Sequence, residues 1–421
     1  MTYKILSRFL IVSFAILINF CSAYYQEYEP QLINSNLRLA ALGNLDLVVE
    51  ELANEINAYD FGASPAGLIV DDNGKSMIYI PGIYGVTASR VTPSYIAWHG
   101  SGVSLMGVFK FRKKFAIGGS FTKTGSVEKH HDFYEPSEFL RDNIRDTLVS
   151  CWSVLPRLSI GFRGVYNKIT DEYNNSWGSY FNKTEIYSYE PSLLLCSASR
   201  NWQFGLNYRF KKYDYENGDT VTHDFTVPVL YSSSNLQFGL KGKLGIIPDD
   251  DFKKILEIRS IYRISFKDRY VNLGLLLKYI SPNIVEQYSY SYIPGRQIDM
   301  GFGIACVDEN IGLLGIQYKK NIMTITELSN SYSRHNNYLS IGAEFYLAGK
   351  LPLRLGYTNV SSDYVYGFVS YYDVITSGFG INFPEVNIAI DFAYNLKIFK
   401  WGYYVETECD HIFGLSGRFV F

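Results

Sequence analysis

Basic side chains recur on the polar face of alternating segments along the chain. They are Arg163, Arg209, Lys211, Lys241, Arg259, Arg263, Lys278 and Arg354. In "WQFGLNYRFKKYDY", Trp202, Phe204, Leu206, Tyr208 and Phe210 alternate with Gln203, Gly205, Asn207, Arg209 and Lys211. A spacing of two puts the bases on one face of a strand and the oily residues on the other. Bases lined up this way make no bonds of their own. They attract and pass anions, or they pair with acids and fill an interior. The acids on the same face are Glu257, Glu344 and Asp391. Further acids, Glu50, Glu51, Glu55, Asp71 and Asp72, lie near the N-terminus. Both roles stay open, and both hold if that N-terminal segment enters the space the bases line. Arg209, Arg259, Arg263 and Lys278 fall on segments expected to be near neighbours.

Signatures of catalysis are thin. There is no G-x-S-x-G, no P-loop and no H-E-x-x-H. No cofactor, metal site or enzyme activity is implied. Beyond the first 23 residues the cysteines are Cys151, Cys196, Cys306 and Cys409, too scattered for a disulfide framework or a zinc site. A net charge of −2 gives no bulk attraction to nucleic acid.

What positions the bases is a series of strands. "VNIAIDFAYNLK" and "RYVNLGLLLKYI" repeat the two-residue alternation. Hydrophobic residues make up 47% of the chain while mean hydropathy is −0.04, so oily and polar residues are finely mixed. Short joints are expected at 112–114, 156–157, 199–201, 232–235, 267–269, 308–310, 348–352 and 383–385. Longer polar links are expected at 126–144, 169–183, 246–254, 281–287, 321–336, 360–372 and 397–410. Turns that are short at one end and loops that are long at the other are the pattern of an outer-membrane barrel. Tyrosines gather at the long-link ends, where a lipid interface favours amphipathic rings. The fold class is therefore all-β: a transmembrane antiparallel β-barrel of about 14–18 strands. The segment count is about eighteen, loosened by Pro191, Pro228 and Pro294, which interrupt three segments.

The ends of the chain agree. Residues 1–23 have a basic start, a short apolar run and small residues at Cys21-Ser22-Ala23, the pattern of a cleaved signal peptide. Residues 24–87 are expected to form a small, partly helical plug, with helical spacing at Leu45, Leu47, Val48, Leu52 and Ile56. Residues 88–421 are expected to form the barrel. The chain finishes on an apolar strand, "HIFGLSGRFVF", with Phe413, Phe419 and Phe421 on it. A closed barrel has no edge, so this strand must pair with the first. The expected location is the bacterial outer membrane, with lipid as partner.

The stretch Ser64-Pro65-Ala66-Gly67-Leu68 resembles the Asn-Pro-Ala-Gly-Leu motif of FadL-type outer-membrane transporters and the related PorV proteins, with Ser in place of Asn. "LGYT" at 355–358 and "GFGINF" at 378–383 are also similar to strands of that group. The resemblance implies a hatch on the inner side and a pathway for hydrophobic molecules. Its PorV branch implies the alternative of an interaction barrel without transport. A last strand ending in Phe resembles the signal that outer-membrane assembly machinery recognises. The cargo expected is a small hydrophobic or anionic molecule.

Overall fold

The computed structural model describes residues 42, 45–48, 65–69, 76–91, 94–111, 114–131, 136–175, 178–199, 201–215, 218–246, 253–281, 292–327, 330–347, 351–363, 369–401 and 407–420. The expected signal peptide, Ser64 and Phe421 lie outside the described residues.

Eighteen strands follow one another along the chain. The first six are β1 (Met77–Val91), β2 (Ser94–Phe111), β3 (Phe115–His131), β4 (Pro136–Leu155), β5 (Leu158–Asn175) and β6 (Gly178–Cys196). Next come β7 (Trp202–Tyr215), β8 (Gly218–Ser232), β9 (Leu236–Ile246), β10 (Lys253–Phe266), β11 (Arg269–Ile280) and β12 (Tyr292–Asp308). The last are β13 (Gly312–Glu327), β14 (Asn330–Leu347), β15 (Leu351–Asp363), β16 (Val369–Phe383), β17 (Ile388–Trp401) and β18 (Thr407–Val420). Each pairs antiparallel with its sequence neighbours. β18 pairs with β1 from Val420 opposite Met77 to Cys409 opposite Ala88, which closes the ring. The apolar end of the chain is the seam of a closed barrel.

Alternation decides which way each side chain points. On β11, Leu273, Leu275, Leu277 and Tyr279 are exposed on the outside, while Asn272 and Gly274 are buried within. Around the ring Leu275, Phe302, Leu314 and Leu355 are each 59% exposed. A continuous apolar exterior of this kind is a liability in water and the stable choice in lipid. Among the described residues no helix is long and apolar enough to cross a membrane. The membrane-spanning wall is made of strands. At its outer rim the Tyr166 and Tyr187 hydroxyls donate to Glu185 at 3.2 and 2.9 Å, and Glu185 pairs with Lys183 at 2.7 Å. Rings that bond charged groups at one end and lie on oily strand at the other mark the head-group level.

The short joints fall where expected, and their chemistry is local. At the β12–β13 turn, Asp308 Oδ1 accepts the backbone N–H groups of Asn310 and Ile311 at 3.0 and 3.2 Å. Gly312 follows with φ 139°, and an added Cβ there would overlap the Glu344 carbonyl. Lys267 and Asn387 adopt φ 54° and 52° in two further turns.

The long links differ from expectation. Most of their residues are strand. The link expected at 169–183 shrinks to the two residues between Asn175 and Gly178, and that at 321–336 to the two between Glu327 and Asn330. Polar β-formers such as Thr, Tyr and Asn keep the ladder going after the oily alternation ends. β5 has 18 residues. That is about 60 Å of strand, or about 45 Å once tilted by about 40°, against an apolar band about 25 Å tall. The hairpins therefore rise well beyond the lipid.

Three more differences have physical causes. β1 opens at Met77, earlier than the expected boundary at 88, because Pro81, Gly82 and Gly85 blur its alternation. The ladder runs past all three prolines. Pro191 keeps its place opposite Phe162, and Pro228 opposite Lys241, so each missing N–H interrupts pairing toward one neighbour only. Pro294 sits beside a register shift in the β12–β13 pair. Finally, residues 45–48 form a turn rather than the opening of a helix, with the Val48 N–H donating to Leu45 O at 3.3 Å.

Candidate lumenal site

The register of β4, β5, β6 and β7 sets inner side chains in rows across the wall. One row is Cys151, Gly161, Ser192 and Asn207. One pleat further out come Val149, Arg163 and Glu190, with Arg209 reaching Glu190 from β7. The next row is Thr147, Val165, Ser188 and Lys211, and above it lie Arg145, Asn167, Ile186 and Tyr213. A cavity of about 340 Å³ opens on this wall. Its lining is Arg145, Arg163, Val165, Asn167, Ile186, Ser188, Arg209, Lys211 and Tyr213.

Glu190 is the keystone of the floor. Its Oε2 accepts from Arg163 Nη2 and from Arg209 Nε, the latter at 2.5 Å. Arg163 is 3% exposed and Glu190 2%. Buried charges persist only when paired, and removing one partner of such a pair costs about 3–5 kcal/mol. Lys211 lies 3.9 Å from Asp224, which Lys243 approaches to 2.9 Å. Asn167 Oδ1 is buried and has no hydrogen-bond partner among the described residues.

The other predicted bases are dispersed. Arg354 is clamped between Glu344 at 2.7 Å and Asp391 at 2.5 Å. Lys278 is 4.0 Å from Asp299. Lys241 stands opposite Glu257 in register. The Arg263 guanidinium lies over the Tyr270 ring, 3.9 Å from its centre. Arg259 donates to the backbone carbonyl of Asp46. So Arg163, Arg209 and Lys211 share one cavity, whereas Arg259, Arg263 and Lys278 belong to β10 and β11, away from Arg209 on β7. The expected neighbourhood of Arg209 with those three does not form.

Two short pieces of the N-terminal segment dock on the inner wall. Pro65–Ile69 forms a 3-10 turn. The Ala66 N–H donates to Ser192 Oγ at 3.0 Å, and the Cys151 thiol donates to Ala66 O at 3.1 Å. Gly161 makes room: an added Cβ would lie 2.5 Å from Pro65 C and overlap Ala66 N. The turn thus sits one pleat below the Arg163–Glu190–Arg209 floor. The second dock is Leu42 with 45–48, seated against β11 to β14. Leu42, Leu45, Leu47 and Val48 are buried with Ala305 and Leu313. Asn272 donates to Val48 O at 2.9 Å, and Leu47 N–H to Gln317 Oε1 at 3.1 Å. Lys319 pairs with Asp46, and Gln317 donates to its Oδ1 at 3.0 Å. Burial alone would raise the Asp46 carboxyl, but Lys319 and Arg259 outweigh it and hold it below the usual carboxylate value. Gly303 and Gly315 leave space here, since added Cβ atoms would come within 2.8 Å of Val48 and Leu45 side chains.

Sequence reasoning missed Arg145, Glu190, Asp224 and Asp299. Arg145 follows directly on a stretch expected to be a loop, and the acids are near the prolines that obscured β6, β8 and β12. Phe413 and Phe419 lie on β18 at the seam, with Phe419 opposite Ile78 and Ile388.

No family model matches the chain, and no curated protein matches it either. Solved structures do. The chain is similar to the Ralstonia pickettii toluene transporter TbuX, at 12% identity over 93% of this chain and 99% of that one, with a TM-score of 0.44. It is similar to a Pseudomonas aeruginosa FadL homologue, at 12% identity over 91% and 98%, with a TM-score of 0.43. It is also similar to Pseudomonas aeruginosa OccK7 (OpdD), at 9% identity over 83% and 99%, with a TM-score of 0.49. The FadL group, which residues 64–68 resemble, is thus among its structural neighbours. Likeness at this level leaves cargo and mechanism to this chain's own residues.

Proposed function

We propose that the chain is a bacterial outer-membrane barrel that passes or takes up a small hydrophobic or anionic molecule. The observation that carries this reading is the lumenal cavity: a basic, partly apolar hollow inside a ring whose exterior is oily. A barrel of sixteen to eighteen strands is wide enough to leave an aqueous interior. The N-terminal segment is its plug. The docks at 65–69 and 42–48 lie on walls centred near β5 and β12, seven strands apart in a ring of eighteen. Phe413, Phe419 and Phe421 serve recognition by the assembly machinery.

The test is liposome swelling with purified mature protein. Proteoliposomes should admit a small neutral sugar faster after residues 24–74 are deleted. If the deletion variant inserts yet stays tight to sugars and ions, passage is wrong. The interaction-barrel alternative, which two firm docks inside the lumen also suit, then replaces it.

A further inference from the structure

The inner face of β4–β7 continues upward from the cavity, past the level of Tyr166 at the rim. One row there runs from Asn167 through Ile186 to Tyr213, and the next from Asn143 through Ile169 and Thr184 to Tyr215. The Tyr213 and Tyr215 rings lie parallel within 5°, their centres 6.1 Å apart, and Tyr215 is exposed. Higher still, Tyr173 stands opposite Tyr180 in register, and Tyr180 is 62% exposed. By the alternation of the strands these rings face the inside of the mouth, where they meet water rather than lipid.

Two acceptors in these rows are unanswered. The Oδ1 atoms of Asn143 and Asn167 are buried, and neither has a hydrogen-bond partner among the described residues. A buried oxygen is costly to leave unpaired, so both call for a ligand that donates. A carboxylate donates nothing, and a hydrocarbon leaves both oxygens bare. An ammonium group donates, but it would meet Arg145, Arg163, Arg209 and Lys211 in a cavity lining that holds no carboxylate. The row above Asn143 is already neutral, since Arg141 grips Asp171 through two bonds of 2.6 and 2.9 Å. The ligand is therefore a neutral donor. Its apolar C–H face suits the tyrosines, because the face of an aromatic ring is the negative part of its quadrupole.

We propose that this wall binds a neutral saccharide of two rings. Strands about 4.8 Å apart put Asn167 about 10 Å from Tyr213, two strands away, and Asn143 about 14 Å from Tyr215, three away. Two linked sugar rings bridge that gap, and one does not. One ring lies with its C–H face on Tyr213 and Tyr215. Hydroxyls of the other donate to the Asn167 and Asn143 amide oxygens. The terminal torsion of Asn is soft, so each amide turns to meet its hydroxyl. The site faces the inside of the barrel, out of reach of sugars anchored in the surrounding lipid, so the ligand is a free saccharide. This class lies beyond the hydrophobic or anionic cargo proposed above, and its binding does not require passage.

The experiment is saturation-transfer NMR on the full mature protein in a sugar-free detergent such as an amine oxide. The probes are maltose, with two rings, and glucose, with one. Maltose should bind about fivefold or more tighter, since an added hydrogen bond contributes on that scale. Tyr215→Ser should weaken maltose about fivefold by removing a stacking ring. Asn167→Leu should weaken it by a similar factor while leaving the barrel at least as stable in urea, because it removes an amide with an unpaired oxygen. Heat-modifiable migration on gels confirms that each variant is folded. Absence of transfer to maltose overturns the site. Equal affinity for glucose overturns it too, as does an Asn167→Leu protein that binds like the wild type. Hexanoate at equal concentration should leave the maltose signal unchanged, and displacement would overturn the neutral site. Swelling is measured on the same protein. Solute entry without maltose binding sinks the site and leaves passage standing. Maltose binding without solute entry by either the wild type or the plug deletion keeps the site and sinks passage.

Discussion

Gly161→Ala should loosen the 65–69 dock while leaving the barrel intact. The new Cβ would lie 2.5 Å from Pro65 C, where ordinary contact begins at 3.4 Å. The wall cannot yield, because Gly161 is laddered to Cys151 on one side and Ser192 on the other. The turn must lift by about 1 Å, which carries the Ala66–Ser192 contact from 3.0 Å past hydrogen-bonding range. The Cys151–Ala66 contact, now 3.1 Å, stretches with it. Two lost hydrogen bonds cost about 1–3 kcal/mol, or about 5–150-fold in the closed-to-open ratio. Cys151 reports this directly, being 1% exposed beneath the turn. In a background with Cys306 and Cys409 replaced by Ser, its maleimide labelling should speed up by that factor. Cys196, which packs with Ala66 and Leu194, should label faster too. If the heat-modifiable Gly161→Ala protein labels at the wild-type rate, the turn does not rest on Gly161 and the dock is misplaced.

Three further perturbations probe other parts of the molecule. Arg354→Gln leaves Glu344 buried without its main partner, and should cost about 3–5 kcal/mol in urea unfolding from vesicles; a change under about 1 kcal/mol would contradict the clamp. Asp46 is held below its unfolded value by Lys319 and Arg259, so its contribution is present above about pH 3.9 and lost as pH falls through the lower folded value. Protease cleavage within 42–48 should therefore be flat from about pH 7 to 5 and rise only in stronger acid, and a rise near neutrality would point to another group. Phe419→Asp should lower the fraction of chains that reach the heat-modifiable form, and unimpaired assembly would show the residue to be incidental.

The ring was legible because membrane strands carry their own direction. Oily and polar residues must alternate on a wall with lipid outside, so "RYVNLGLLLKYI" and "VNIAIDFAYNLK" announce both the strand and its outer face. Short joints were legible for a similar reason, since oily alternation stops abruptly at a turn. The far ends were not. Above the lipid both faces meet water, so "NKITDEYNN" at 167–175 has no oily face and reads as a link although it is strand. Hydrogen bonding to the partner strand decides there, and sequence pattern does not record it.

The same loss explains the lumen. Reading the inner face from clean alternation collected Arg163, Arg209, Arg259 and their like with only Glu257, Glu344 and Asp391 against them, and made the interior look biased toward positive charge. The missing acids sit beside prolines: Glu190 before Pro191, Asp224 four residues before Pro228, Asp299 after Pro294. A proline removes one N–H and breaks the visible pattern, yet each of these strands continues. With the acids restored, most of the inner wall is a paired network in which a base holds its neighbour's carboxylate. Arg354 shows the outcome: with two acids within 2.7 Å, it has no spare charge to offer a passing solute. The wall of β4–β7 shows the converse arrangement, since there one carboxylate, Glu190, is shared between the guanidinium groups of Arg163 and Arg209.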